Sequence, residues 1–350
     1  MAGVVTGPPA TAWAGDPEGA GWLIGLDVGG TKTEGVLLLD GEVRSVVRVP
    51  TVPGPEAVVR TCRDIVDSLQ ADIGADAGAR DHGGGLRVGV GVPGVVDHRR
   101  GTVATAVNLG VAAPLPLGPR LAALTGTSVV VENDVDVAAL GAGHLLGTEG
   151  DFAYLSLGTG VAAGLVLDGR LRRGSGGVVG EVGHLVHRPD GPPCACGQRG
   201  CVELFASGRA LERHWEPTGP EPAPVDLFRR AAAGEAAAVA VRDMFADAVA
   251  AAVTTLVLAV GVRQVVLGGG VAALGSQLVD AVGAALERRA HSSTFLRDLR
   301  IPSRLVLAPP GLPVAPVGAA LAAKGAGRAA HPSADRRGPA LHAGRHRSCS

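Results

Sequence analysis

Two strand–turn–strand segments that match each other at one constant offset constrain the fold of this chain more than any other feature. In both segments Gly-Thr precedes, and Asp-Gly follows, an apolar strand of the same length. The matching residues are Gly30, Thr31, Leu37, Leu39, Asp40 and Gly41 in the first segment, and Gly158, Thr159, Leu165, Leu167, Asp168 and Gly169 in the second. Such self-similarity predicts an internal duplication, in which each copy builds the same structural unit.

The composition favours an α/β core divided between two lobes. The chain has 350 residues, and 46% of them are apolar, which is ample for a large buried core. Only 3% are aromatic, so Val, Leu, Ile and Ala must build that core from closely packed elements. We expect a disordered tail over 1–21, a small α/β lobe over 22–131 joined by a C-terminal helix over 313–325, a large α/β lobe over 132–312 with a metal-binding loop over 181–203, and a disordered tail over 326–350.

Charge and hydropathy exclude several kinds of partner. The net charge is -1 with both signs spread along the chain, so no basic surface for nucleic acid or anionic lipid is predicted. The first 21 residues lack the basic start and the apolar stretch of a secretion signal. No unbroken apolar run reaches the roughly 18 residues that span a bilayer. We therefore expect a cytoplasmic protein whose partners are small molecules, with no nucleic acid and no membrane.

Hydrophobic periodicity predicts strands and helices in an α/β order. Short apolar runs bounded by turn residues predict strands at 22–27, 34–39, 43–49, 86–92, 128–131, 152–157, 162–167, 263–267 and 304–308. Helical spacing of apolar residues predicts helices at 55–71, 135–146, 204–215, 225–260 with an interruption near Gly234, 275–289 and 314–323.

Three tight glycine turns, each after an apolar strand, point to a nucleotide site. Glycine lets backbone N–H groups approach phosphate oxygens, and the Thr31 hydroxyl and an Asp27-held Mg²⁺ would add to such a cradle. The candidate residues are Asp27, Gly29, Gly30, Thr31 and Lys32, then Gly158, Thr159 and Gly160, then Gly268, Gly269 and Gly270. For the first turn alone, a glycine-rich hairpin with a capping aspartate is an equal alternative. Turns facing each other across two lobes favour a nucleotide clamp.

A G-x-G-x-x-G pattern at Gly89, Gly91 and Gly94 does not predict a dinucleotide site, although it follows an apolar strand. Pro93 occupies its turn and no helical pattern follows. No acidic residue between 98 and 131 is available for a ribose. The Gly-Lys-Ser/Thr ending of a P-loop is also absent from the sequence.

Asp134 stands where a predicted strand gives way to a predicted helix, which allows two interpretations. It can cap the helix N-terminus, the more ordinary role for an aspartate in this place. It can also be the base that accepts the proton of a sugar hydroxyl during phosphoryl transfer. A position at the end of a strand facing a crevice favours the second interpretation.

A cluster of one histidine and three cysteines predicts a metal site. His184, Cys194, Cys196 and Cys201 supply four nitrogen and sulfur ligands within a short glycine-rich segment, as tetrahedral Zn²⁺ requires. Cysteines one residue apart are poorly placed to form a disulfide with each other. Four protein ligands leave no open position for a catalytic water, so we expect the zinc to be structural.

Taken in order, seven motifs over about 23–324 resemble those of the ROK family (repressors, open reading frames and sugar kinases), and within it the bacterial glucokinases most. They are DVGGTKT, GVPGVVD, ENDVDVAALG, LGTGVAAGL, EVGH, CACGQRGCVE and VVLGGG. The resemblance implies a two-lobed actin-like, hexokinase-like (ribonuclease H-like) α/β fold with the active site in the interlobe cleft. It also implies ATP-dependent phosphorylation of a hexose at the 6-hydroxyl, glucose above all, by a homodimer or homotetramer.

The same resemblance assigns residues to roles. Asp134 would be the catalytic base. The substrate-binding residues would be Gly94, Asn108, Asn133, Asp134, Glu181, His184 and Glu203. His184 would have a second role as a zinc ligand with Cys194, Cys196 and Cys201, because its two ring nitrogens can face different partners. ATP, Mg²⁺ bound with the nucleotide, and structural Zn²⁺ would be the cofactors.

Two departures from the family pattern bear on these expectations. Ala162 stands where the second phosphate loop usually has a third glycine, and a methyl group there could crowd a phosphate or forbid a positive φ. After Asn108-Leu109 the chain continues Gly-Val-Ala-Ala, where the family has a Pro-Gly-Trp-like sequence, which could loosen the lid over the sugar.

Three other functions remain open on sequence alone. A sugar-responsive repressor would need a DNA-binding module of roughly 60 residues before the first strand, and we do not expect one in the 21 residues present there. A silent sugar-binding protein would follow if Ala162 abolished nucleotide binding. A kinase for N-acetylglucosamine or N-acetylmannosamine would need a pocket for the acetamido group, and polyphosphate could replace ATP as the donor.

Overall fold

The computed structural model describes residues 21–75, 85–175 and 177–326. The predicted terminal tails lie, apart from residues 21 and 326, outside this part of the chain. Within it, the chain forms two five-stranded sheets and one two-stranded sheet, with helices packed on the faces of both large sheets.

The first large sheet belongs to the N-terminal part of the chain. Its elements are β1 (Trp22–Val28), β2 (Lys32–Leu39), β3 (Glu42–Pro50), α1 (Pro55–Ala75), β4 (Arg87–Val92), β5 (Val95–Asp97), β6 (Thr102–Thr105), α2 (Leu117–Thr125) and β7 (Ser128–Asn133). The spatial order is β3-β2-β1-β4-β7, antiparallel from β3 to β1 and parallel from β1 to β7. The β5–β6 hairpin and α2, which the sequence patterns did not predict, lie between β4 and β7 along the chain.

The second large sheet repeats the first. Its part of the chain contains α3 (Asp134–Leu146), β8 (Phe152–Leu157), β9 (Val161–Leu167), β10 (Arg170–Arg172), α4 (Glu203–Ala206), α5 (Gly208–His214), α6 (Ala223–Ala232), α7 (Ala236–Thr255), β11 (Gln264–Gly268), α8 (Ser276–Ala290), α9 (Thr294–Asp298), β12 (Leu305–Leu307) and α10 (Val314–Ala326). Its order, β10-β9-β8-β11-β12, has the same parallel and antiparallel pairings as the first sheet. The predicted internal duplication is confirmed.

The two matching hairpin turns explain why the repeated Asp-Gly pairs stand where they do. Asp40 and Asp168 have φ values of 54° and 52°, and the glycines that follow them have φ values of 83° and 66°. Two-residue hairpin turns of this left-handed kind favour Asp-Gly because aspartate tolerates a positive φ and glycine adopts one freely. The turns fix the register in which β3 and β10 return along β2 and β9.

Helices α3 and α10 form the layer between the two sheets. Helix α10 covers β1, β2 and β4 of the first sheet, while α3 covers β8 and β9 of the second. A Cβ atom on Gly318 of α10 would lie 2.6 Å from the nitrogen of Gly141 in α3, and one on Gly25 of β1 would lie 2.6 Å from the nitrogen of Ala320. The helix backbones therefore contact their neighbours directly, which only glycine permits at these positions.

The helix predicted over 204–215 is interrupted at Ser207. This residue has extended backbone angles, and its side chain accepts a hydrogen bond at 3.0 Å from the Ala210 amide, so it is the N-cap of α5. The break turns α4 and α5 relative to each other beside the second glycine turn, where the Gly208 amide donates to the Gly158 carbonyl at 2.7 Å. The interruption predicted near Gly234 is confirmed, since this glycine has a φ of 83° between α6 and α7.

One helical segment, Ala236–Val260, is long and apolar enough by length and composition to cross a bilayer. It consists of α7 and a π-helical turn over Leu256–Val260. Half of its most apolar window is buried inside the protein, where Phe245, Val249 and Val253 join the core of the second sheet. Core helices commonly have this composition.

Candidate active site

The predicted glycine turns and carboxylates lie at the carboxyl ends of parallel strands in both sheets. In the first sheet, β1, β4 and β7 end at Val28, Val92 and Asn133. In the second, β8 and β11 end at Leu157 and Gly268. Ligands bind α/β sheets in the crevice outside these strand ends, so both copies of the duplicated unit present their turns where a ligand can reach them.

The first glycine turn connects β1 to β2 and lies against a second predicted site residue. The Gly29 amide donates to the Lys32 carbonyl at 3.0 Å, which closes the turn. A Cβ atom on Gly30 would lie 3.3 Å from the Cβ of Asn108, so the structure brings Asn108 to this turn. Thr31 and Lys32 are exposed and available to a ligand.

The second and third glycine turns contact each other. The Gly158 amide donates to the Gly160 carbonyl at 3.1 Å. Gly269 has a φ of 79°, and a Cβ atom there would lie 2.6 Å from the carbonyl carbon of Leu157. Only glycine fits at Gly269, for reasons of both backbone conformation and space.

Ala162 does not strain the second turn. It lies in β9, paired with Ser156, and it has none of the positive φ values found among the described residues. The backbone objection to alanine at this position is therefore removed, because a strand residue needs no glycine.

Asn133, and not Asp134, caps helix α3. The Asn133 side-chain oxygen accepts hydrogen bonds from the amides of Val135 at 2.9 Å and Asp136 at 3.3 Å. Its Nδ2 donates to the Gly94 carbonyl at 3.1 Å, so Asn133 also joins β7 to the turn after β4. Asp134 accepts through Oδ1 from the Val135 amide at 3.0 Å, and its Oδ2 is not used in capping.

Asp27 and Asp134 both have a raised pKa, and the charge of Asp134 acts on Asp27. Burial raises the pKa of Asp134, opposed by the Val135 amide hydrogen bond, while Glu181 adds to the rise. Burial, followed by the charges of Asp134 and Glu34, raises the pKa of Asp27 to about 7, whereas Lys32 lowers it. Two buried carboxylates with raised pKa values at strand ends of one sheet are typical of a functional site, where a cation or a transferable proton is bound.

Glu203 and Glu181 contact different parts of the site. Glu203 Oε2 accepts a hydrogen bond from the Val161 amide at 3.0 Å and lies against Gly160 of the second glycine turn. Glu181 Oε2 lies 4.0 Å from Nε2 of His184 and acts on the charge of Asp134. The two carboxylates thus extend the site from the second glycine turn to the metal-binding loop over 181–203, which we call the cysteine-rich loop.

The four predicted metal ligands converge. The ligand atoms of His184, Cys194, Cys196 and Cys201 all lie within 4.8 Å of one another. Cys194 Sγ lies 3.8 Å from Nδ1 of His184, and Cys196 Sγ lies 3.6 Å from Cys201 Sγ. Tetrahedral zinc with Zn–S bonds of about 2.3 Å needs ligand separations of about 3.8 Å, so the residues fit this metal. The other imidazole nitrogen, Nε2, lies 4.0 Å from Glu181 Oε2, on the side of the ring away from Cys194.

Tyr154 is a site residue that the sequence patterns missed. It is the only tyrosine in the chain, and its hydroxyl accepts a hydrogen bond at 3.2 Å from the amide of Gly269. Burial raises the pKa of Tyr154 to about 12, with Asp27 and Asp134 raising it as well, so the hydroxyl keeps its proton. The available signal was the one tyrosine of the chain, placed in the strand that precedes the second glycine turn.

Glu132 and Arg173 form a second feature that the sequence did not indicate. Glu132 is buried at the end of β7, and Arg173 donates to both its oxygens at distances between 2.6 and 3.1 Å. Burial and the nearby charge of Glu132 raise the pKa of Asp136 to about 7, whereas Arg173 lowers it. The ion pair therefore ties the loop after β10 to the strand that ends at the candidate base.

A duplicated sheet whose strand ends bring together glycine turns and carboxylates defines a two-lobed α/β protein of the hexokinase-like class. The ROK hexokinase from Thermus thermophilus has the same fold, with a TM-score of 0.71 and 34% identity over 87% of this chain and 98% of that one. The ROK family glucokinase from Streptomyces griseus, solved in complex with glucose and AMPPNP, has a TM-score of 0.68 and 29% identity over 87% of this chain and 100% of its own. The chain belongs to the ROK family, whose profile matches residues 23–323.

The curated relatives that match this chain are named for two different substrates. The glucokinase of Streptomyces coelicolor is 39% identical over 197 residues, which cover 55% of this chain and 59% of that protein. The match therefore spans less than two thirds of that relative. The N-acetylmannosamine kinase of Pasteurella multocida is 32% identical over 253 residues, which cover 71% of this chain and 81% of that protein.

Proposed function

We propose that this protein transfers the γ-phosphoryl group of ATP to the 6-hydroxyl of a hexose, with glucose as the preferred acceptor. The observation that carries the proposal is the position of Asp134. Its carboxylate stands at the end of β7 with a raised pKa, while Asn133 performs the helix capping that would otherwise explain an acidic residue there. Membership of the ROK family and the glucokinase names among its relatives support the reaction class.

In the proposed reaction, Asp134 accepts the proton of the sugar hydroxyl as the new O–P bond forms. The bond between the γ-phosphorus and its bridging oxygen breaks, and ADP leaves with that oxygen. A carboxylate whose pKa is raised toward neutrality is a better proton acceptor than an ordinary one. The glycine turns would bind the phosphates through their amides, and Asp27 would hold the Mg²⁺ that neutralises the phosphate charge.

The sugar hydroxyls are bound by Asn108, Asn133, Glu181, His184 and Glu203, with Gly94 forming part of the pocket wall. Asn133 Nδ2 already donates to the Gly94 carbonyl, so these two are positioned as a unit. Zinc at the cysteine cluster would hold the loop in place and supply no reacting group. We place the protein in the cytoplasm and expect a homodimer or homotetramer, in line with the family resemblance.

A kinase for N-acetylmannosamine is the second candidate, because relatives with this name match this chain about as well as relatives named glucokinase do. The acetamido group occupies the 2-position of the sugar, so the two candidates differ in what the pocket must accept there. A site whose carboxylates bind vicinal hydroxyls rejects an analogue without the hydroxyl far more strongly than one with a small change of stereochemistry.

We expect glucose to have the highest kcat/KM in a coupled ADP-release assay against a panel of hexoses and amino sugars. Mannose should follow with a modest loss, and 2-deoxy and 3-deoxy sugars should lose far more, since each leaves a carboxylate of the site without its partner. A higher kcat/KM for N-acetylmannosamine or N-acetylglucosamine than for glucose would reverse the substrate proposal. It would leave the reaction class intact.

One zinc ion per chain is expected in the purified protein by elemental analysis. Cys196→Ser changes the exposed member of the cluster, so it should lower both zinc content and sugar affinity, because the metal orders the loop that carries Glu181 and Glu203. Cys62→Ala is the matched control, since this cysteine lies in the core of the first sheet. Absence of zinc from active, unoxidised protein, or full zinc content in Cys196→Ser, would contradict the assignment.

A further inference from the structure

A cavity with a volume of about 460 Å³ opens between the cysteine-rich loop and helices α7 and α8. The loop contributes residues 185–188 and Val202, and the helices contribute Asp247, Thr255 and Arg289. None of the residues proposed above for sugar, nucleotide or zinc lines it. The cavity is therefore separate from the proposed active site.

His187 brings a buried ring nitrogen without a partner to this cavity. Its side chain is 7% exposed, and its Nε2 has no hydrogen-bond partner among the described residues. The nearest carboxylate oxygen, Oδ2 of Asp247, lies 3.8 Å away, beyond hydrogen-bond distance. Phe205 packs edge-on against the ring at 5.6 Å and fixes its orientation. Buried polar groups are nearly always hydrogen-bonded, so a ring nitrogen without a partner in a cavity wall indicates a ligand.

Two arginines give the cavity a positive charge. The Arg188 guanidinium lies 5.0 Å above the centre of the Phe205 ring, and in the described part of the chain no carboxylate lies within 4.0 Å of it. Arg289 donates to Asp247 through Nε and Nη2 at 3.1 Å, which leaves its Nη1 without a hydrogen bond to the described chain. The lining of the cavity thus contains two guanidinium groups, of Arg188 and Arg289, and one carboxylate, of Asp247. Burial lowers the pKa of His187, opposed by Asp247, so the imidazole is neutral and can donate from one nitrogen.

We propose that this cavity binds the phosphate group of a small phosphorylated molecule. A planar guanidinium donates two parallel hydrogen bonds to phosphate, and Arg188 is already oriented by its stacking on Phe205. Arg289 Nη1 and His187 Nε2 donate from other sides, which suits the three terminal oxygens of a phosphate better than the two coplanar oxygens of a carboxylate. The side chains of Leu185, Val186 and Ala251 form an apolar wall for the carbon part of the ligand.

The test is calorimetric titration of the full chain with inorganic phosphate and with methyl phosphate. Glucose and AMPPNP are present at saturating concentrations, so that anions do not report on the proposed nucleotide turns. Arg188→Gln should weaken binding of both probes by at least about tenfold, because a charge-assisted bidentate contact is lost. Arg188→Lys keeps the positive charge but cannot donate two parallel hydrogen bonds. Its affinity for both probes should lie between that of Arg188→Gln and that of the unaltered protein. Arg170→Gln, an exposed arginine outside the cavity, is the control and should bind as the unaltered protein does.

Equal phosphate affinity in Arg188→Gln and the unaltered protein would overturn the proposal. Acetate binding as tightly as phosphate would also overturn the assignment to phosphate. Circular dichroism of each variant separates lost binding from lost folding. The comparison of Arg188→Gln with Arg170→Gln does not depend on kinase activity, so failure of the proposed function would leave this test interpretable.

Discussion

Asp134→Asn is expected to lower kcat by roughly 10² or more, with sugar binding and folding largely retained. General base catalysis contributes on this scale, and the amide keeps the shape of the carboxylate while it cannot accept the proton. Folding should be retained because Asn133 supplies the helix cap, and because a neutral amide is easier to bury than a carboxylate whose pKa burial has raised. Steady-state kinetics with glucose and ATP, together with thermal unfolding, measure both effects.

Asp136→Asn is the matched control for this variant. It changes another acidic residue in the first turn of α3 whose pKa is also raised, but one whose pKa is set mainly by burial, Glu132 and Arg173. Its kcat should stay close to that of the unaltered protein. A near-normal kcat for Asp134→Asn would refute the base role while leaving the fold and family unchanged.

Arg173→Ala is expected to cost about 3 kcal/mol of unfolding free energy, because it leaves Glu132 buried beside Asp136 without its cation. Arg172→Ala is the control on the neighbouring residue. Its partner, Asp168, is exposed, and an exposed ion pair contributes about 1 kcal/mol or less. Urea unfolding at neutral pH measures both variants, and equal small losses would show that the buried pair contributes nothing.

The loss of unfolding free energy in Arg173→Ala should depend on pH. The folded protein holds a proton on Asp136 up to about pH 7, whereas the unfolded chain releases it near 3.8. The folded state therefore binds more protons within this window, and the contribution of Asp136 to stability falls as pH rises through it. Arg173 lowers the pKa of Asp136, so its removal widens the window upward. The deficit of Arg173→Ala should grow as the pH rises above about 7, and a deficit that stays constant up to pH 8 would contradict this coupling.

The two sheets could be predicted from sequence because their signals are local and repeated. Gly-Thr and Asp-Gly pairs mark the same turns in both copies, and positive φ values at Asp40 and Asp168 explain why these residue types were needed. The break at Ser207 was missed because apolar spacing continues through it, while the interruption is made by a serine side chain that binds the next turn. Helix α2 and the β5–β6 hairpin are too short to give a periodic signal.

Sequence could indicate those residues of the candidate site that belong to short motifs. Sequence allowed Asp134 to be either the cap of α3 or a base, and hydrogen-bond geometry assigns the cap to Asn133, a residue type that caps helices equally well. Tyr154 and the pair Glu132–Arg173 were missed for a different reason. Their partners lie far along the chain, and only the pairing of strands brings them together.

The placement of α10 affects how the chain can fold during synthesis. One face of the first sheet, with Leu23, Val36 and Leu38, is covered by Val317 and Ala320 of this helix. A ribosome releases β1 to β7 long before it releases residues 314–326, so that face has no cover while most of the chain is being made. The N-terminal unit therefore cannot finish folding co-translationally as an independent domain. Nascent chains shortened before residue 314 should bind holdase chaperones and remain sensitive to protease in this sheet.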